Sequence, residues 1–160
     1  MHESIIAAHG LIKVADYLFT KSLDGMTDEL ALRRVSPDAN PFIWIAGHIT
    51  SSRYAFSRYF GDEVAFSHRD LFKRGSIFDE SATYPTLADI KNDWDNITQI
   101  LLLRIENLNA DAFSQAIPIE FPHQDNTLRG ALYFMCYHES HHIGQLSYIR
   151  KFFNLEGLVR

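Results

Sequence analysis

Residues 127–153 read TLRGALYFMCYHESHHIGQLSYIRKFF. Leu128, Leu132, Met135, His138, His142, Leu146 and Ile149 recur at steps of three and four. That period belongs to one face of an α-helix. Asn126 or Thr127 is a natural N-cap for it, and the period lasts to about Phe153. Two histidines therefore continue an apolar stripe. They stand one turn apart on the same face, where two imidazoles can reach one metal ion. A structural role for the pair is the alternative reading, but burying two imidazoles without partners is costly.

The same stretch contains His138-Glu139-Ser140-His141-His142, a literal H-E-x-x-H. In zinc proteases such a motif supplies two ligands and a glutamate base. The extended form places Gly and His three and six residues after the second His. Here those positions hold Gln145 and Tyr148. Only 18 residues follow His142, and no sheet edge is evident upstream to hold a peptide. The protease reading is thus a minor alternative. Glu139 is rotated about 100° from His138. It is expected to be structural or to act behind the ligands, by orienting one or by serving as a base on bound water.

Three further amphipathic stretches lie upstream. Residues 3–22 place Ile5, Ala8, His9, Ile12, Ala15 and Phe19 at helical spacing, with Gly25 as a stop. Asn40 as N-cap and Pro41 at the first helical position open a second helix. It runs to Phe60 and closes at Gly61. Thr86 and Asp89 approximate a capping box, and Leu87, Ile90, Trp94, Ile97, Leu101, Ile105 and Leu108 carry a third. Residues 61–85 lack a sustained period. In 109–126, Pro118 and Pro122 suggest an extended segment or short β-ribbon. The expected fold is all-α: a four-helix bundle, one domain over 1–160, with long connections after helices 2 and 3.

Metal sites in bundles are built from facing helices. His48, mid-helix on the second helix's apolar stripe and next to Gly47, is the best third ligand. Three histidines and an open position suit a divalent ion. Of the other histidines, His2 and His68 are expected in solvent, His9 in the core or at its rim, and His123 in a loop. His141, about 100° around the helix from His142, is expected either behind the ligands, supporting one of them, or at the pocket rim. Cys136 lies about 200° around the helix from His138. It is expected to be buried rather than nucleophilic.

The chain of 160 residues carries a net charge of −5, with a pI near 5.9 and 46% hydrophobic residues. It has size enough for a core. No Lys/Arg run exceeds two residues, which argues against a nucleic-acid partner. A single cysteine leaves no disulfide framework and fits the cytoplasm. The N-terminus does not read as a signal peptide. No apolar run reaches the roughly 18 residues a membrane span needs.

"GHI" at His48 together with "HxxxHxGQ" at His138, His142, Gly144 and Gln145 resembles the DinB-like superfamily, along nearly the whole chain. The resemblance implies a four-helix bundle, often a homodimer, in which His48, His138 and His142 bind a divalent metal, zinc or nickel. It also implies a small-molecule substrate and thiol-dependent transferase or hydrolase chemistry, with a low-molecular-weight thiol as partner. A non-catalytic metal-binding or dimerisation module of the same fold is the alternative. Gly144 would permit close helix approach, and Gln145 would hydrogen-bond near the site.

Overall fold

The computed structural model describes residues 3–61, 64–118 and 125–159. Among these, helices are the only regular elements. They are α1 (Glu3–Ser22), α2 (Asp28–Leu32), α3 (Phe42–Ser57), α4 (Arg69–Phe72), α5 (Leu87–Glu106), α6 (Ala110–Phe113) and α7 (Leu128–Phe152).

The caps explain the boundaries. Thr86 and Asp89 close the predicted capping box on α5, with Asp89 Oδ2 accepting from the Thr86 N–H at 3.0 Å. Thr127 caps α7 through the Gly130 N–H. The start of α3 differs from expectation. Pro41, not Asn40, is the N-cap, because its ψ of 167° is extended. Its carbonyl still accepts from the Ile45 N–H at 3.2 Å. The helix then tightens into a 3₁₀ turn at Arg58–Phe60. Gly61 ends it at a φ of 83°, a left-handed conformation that glycine adopts without strain.

Two stretches read as non-helical contain short helices, α4 and α6. Asn109 caps α6 by accepting from the Ala112 N–H at 2.8 Å, a local bond too short in range to leave a periodic signal. Of the expected ribbon, the described residues show one antiparallel bridge, Ala116 with Thr127. His2 and His123 lie outside the described residues.

The long helices α1, α7, α3 and α5 pack in a ring in that order. Residue pairs give their directions. The Cys136 thiol approaches the Ala8 carbonyl, and Arg150 donates to that of Ser22, so α1 and α7 run parallel. His9 meets Glu106, while Trp94 donates to Asp16 at 2.8 Å, so α1 and α5 are antiparallel. Arg53 meets Glu139 and His48 meets His142, so α3 opposes α7. It follows that α3 and α5 are parallel neighbours. The segment joining them must return the length of α3, about 24 Å, which is why a long connection lies there.

The core contains Phe19, Trp94, Ile97, Leu101 and Ile149. It also holds a charged pair. Arg53 and Glu139 are both fully buried. Arg53 Nε donates to Glu139 Oε1 at 2.6 Å, and its second terminal nitrogen donates to Oε2 at 2.9 Å. The remaining terminal nitrogen reaches Thr98 Oγ1. The guanidinium lies 3.5 Å from the centre of the Trp94 ring. Each of the three guanidinium nitrogens thus has an acceptor.

A buried pair of this kind contributes little net stability, but breaking it strands a charge. Glu139→Gln should therefore cost about 3–5 kcal/mol in urea unfolding. The double variant Arg53→Met/Glu139→Leu should cost markedly less. If the single variant proves no worse than the double, the pair is not the constraint described here.

Candidate metal centre

His48 stands in the middle of α3, and His138 and His142 on the facing side of α7. Their four-residue spacing sets the two α7 rings 4.5 Å apart, edge to face. His138 Nε2 lies 3.2 Å from His48 Nε2 and 3.2 Å from His142 Nε2. One nitrogen from each ring falls within 4.8 Å of both others.

The outer nitrogens fix the protons. His48 Nδ1 is 2.8 Å from the Phe72 carbonyl oxygen. His142 Nδ1 is 2.7 Å from Gln145 Oε1. Both oxygens can only accept, so both Nδ1 atoms carry the hydrogen. In the neutral rings Nε2 of His48 and His142 is then a bare lone pair. His138 Nε2 can carry one proton, which satisfies one neighbour. The other 3.2 Å contact would then leave a lone pair facing His138 Nε2 with no hydrogen to accept. A cation between the three nitrogens removes that conflict. Tetrahedral zinc at 2.0–2.1 Å from nitrogen implies nitrogen separations of about 3.3–3.4 Å, close to what is seen here. The residues present fit a divalent ion.

Burial keeps the rings neutral. It lowers the His138 pKa to about 3, helped by the neighbouring imidazoles. It lowers His142 to about 4, against the pull of Gln145. It lowers His48 as well, against the bond to Phe72. Trp44, one turn before His48, stacks on its ring at 4.9 Å and 7°. Gly47 lets the Phe72 ring lie against α3, since a Cβ at that position would run into it.

The other expected residues fall as follows. Glu139 gives both oxygens to Arg53, so no carboxylate is free to serve as an H-E-x-x-H base. Gln145 bonds His142 directly. Gly144 does not serve a close approach: a Cβ there would meet nothing within 4 Å, and the residue lines an open cleft. His141 is exposed, with its ring edge-on to His142. His9 is half-buried and pairs with Glu106 at 3.0 Å. His68 is half-buried, not free in solvent, because its ring leans on Phe66. Cys136 is buried and its thiol is pushed up to about 12, chiefly by desolvation, so it holds no thiolate at neutral pH. Sequence reading did not find Phe72, Trp44 or Arg53. Phe72 acts through its backbone oxygen, 24 positions from His48, which no residue type announces.

The described residues thus form a helical protein in which three imidazoles converge on one point that could hold a metal ion. The family model described as the DinB superfamily matches residues 13–146, and the chain belongs to that superfamily. No curated protein matches it significantly.

The lowered pKa values set a pH dependence. As pH falls from about 6.5, the unfolded chain takes up protons on these histidines. The folded chain refuses them until about 4 for His142 and about 3 for His138. Stability of the metal-free protein should therefore fall with pH across that window. Bound metal, which unperturbed imidazoles would release below about pH 6, should be held to lower pH. Urea unfolding and metal release followed against pH check both. Release centred near pH 6 would contradict the burial of these rings.

Proposed function

We propose that the chain is a divalent-metal protein of the four-helix-bundle type, with His48, His138 and His142 as ligands and zinc or nickel as the ion. The observation that carries this reading is the proton count. Three Nε2 atoms converge, two of them already stripped of hydrogen by Phe72 and Gln145. Three protein ligands leave a coordination position for water or a substrate. A metal bound there would supply Lewis acidity, favouring thiolate or hydroxide at neutral pH.

The chain's own groups do the rest. Phe72 and Gln145 orient two ligand rings, as the outer partners of metal ligands do. Trp44 covers the His48 face. Glu139, committed to Arg53, holds α7 in place rather than moving protons. We read the activity as thiol-dependent S-transferase or hydrolase chemistry on a small molecule in the cytoplasm, an assignment supported by the superfamily and the open position. No helix among the described residues is long and apolar enough to cross a membrane.

His48→Ala/His138→Ala should lose stoichiometric metal, measured on purified full-length protein, while remaining helical. Gln145→Leu should weaken metal affinity about tenfold or more. Metal retained at wild-type level in the double variant would refute the ligand set. Turnover of reactive electrophiles with low-molecular-weight thiols tests the chemistry. Full metal loading without turnover would favour a non-catalytic module.

We also propose a homodimer. Ile6, Val14 and Tyr17 on α1 and Tyr137 and Tyr148 on α7 are all more than half exposed, on helices that are neighbours. Sedimentation should report a dimer at micromolar concentration, and Tyr17→Glu should shift it to monomer.

A further inference from the structure

Two clefts border α3, and they differ in charge. One, of about 700 Å³ beside His142, has no Lys or Arg in its wall. The other, of about 810 Å³, runs from the end of α3 along α4. Arg58, Arg69, Lys73 and Arg74 line it, and among the described residues no Asp or Glu does. The chain has 20 acidic and 15 basic residues. Four cations without a carboxylate are therefore not an average stretch of its surface.

Most of this charge is unanswered. Lys73 bonds Asp70 at 2.8 Å. Arg58 donates to the Tyr59 hydroxyl at 3.2 Å. Among the described residues no carboxylate pairs with Arg58, and the side chains of Arg69 and Arg74 have no partner. Arg69 and Lys73 stand one turn apart on α4, with the Lys73 N–H on the Arg69 carbonyl at 2.8 Å. Like charges at that spacing repel, and a bound anion would offset the repulsion. The segment that carries them is anchored to α3. Phe66 stacks on Tyr54 at 4.9 Å, and the Phe72 ring lies against Gly47.

Ser51 is a second and independent sign. Thr50, Ser52 and Ser57 each turn a hydroxyl back to a carbonyl of α3, at 2.9, 2.8 and 2.8 Å. The Ser51 hydroxyl makes no such bond, and no other among the described residues. Yet Ser51 is only 6% exposed and lines this cleft. Its Oγ is not sealed from solvent, as the Trp44 indole nitrogen is. A nearly buried donor without a partner calls for an explanation. A ligand oxygen in the cleft provides one.

We propose that this cleft binds a small molecule through a phosphate group. Its oxygens accept from the free guanidinium groups, whose planar forks match phosphate, and from the Ser51 hydroxyl at the cleft floor. The volume is that of a small-molecule site, and walls of one sign concentrate the opposite charge. Binding there needs no metal, so the metal reading keeps its own test.

Phenyl phosphate, benzoate and phenol share a ring and differ in head group. They separate a phosphate from a carboxylate and from the ring itself. Each is titrated into the full chain as purified, at constant ionic strength, with binding read from backbone amide resonances. Phenyl phosphate should move the amides of Ser51, Arg69 and Arg74. It should bind at least about fivefold more tightly than benzoate, since a phosphate carries nearly two charges and three acceptor oxygens. Phenol should leave these amides still. Arg69→Ala/Arg74→Ala should weaken phenyl phosphate at least about fivefold. Ser51→Ala should weaken it about two- to fivefold, while the urea midpoint holds or rises, because no bond within the protein is lost. Benzoate or phenol binding as tightly, or a response confined to the His138 and His142 amides, would overturn the proposal. So would an affinity indifferent to the paired arginine variant, or a lower urea midpoint in Ser51→Ala.

Discussion

The two-pronged contact between Arg53 and Glu139 is the constraint on which the site depends. Both residues are fully buried, so each must have the other. A guanidinium fork and a carboxylate match in only one arrangement. Sliding α3 against α7 by one turn would move them about 5.4 Å apart. That would leave two bare charges in the core. Hydrophobic side chains alone would tolerate such a slip far better. Glu139 neighbours His138, and Arg53 lies just over one turn beyond His48. The pair that sets the register therefore also sets His48 opposite the two histidines of α7.

Burial then acts on different groups to different ends. At the three histidines it removes the positive charge and leaves lone pairs pointing at one place. At Cys136, on the other side of the same helix, it removes the negative charge and silences the thiol. One helix thus carries a donor face and an inert face. The direction of the donors comes from outside it, through the Phe72 carbonyl, and from within, through Gln145 one turn on.

The literal H-E-x-x-H shows why a motif needs its surroundings. The glutamate is present at the right spacing, yet it faces Arg53 and has no oxygen left for a base. Gly144 was open to a packing explanation, and it borders open space instead. In both cases residue type was compatible with two environments. Only the neighbours on another helix separated them.

Periodicity by itself determined the four long helices, because which face of a helix is apolar is a local property repeated every three to four residues. The capping box at Thr86 and Asp89, the cap at Thr127 and the stop at Gly61 were legible for the same reason. The spacing of His138 and His142 followed from helix geometry, and His48 could be named as their partner from its place on an apolar stripe. Tertiary structure alone decided the ring order of the helices, the pairing of Arg53 with Glu139, the hold of Phe72 on His48 and the sorting of charge between the two clefts. These join residues 24 to 128 positions apart. They rest on backbone atoms and buried charges whose partners only folding selects.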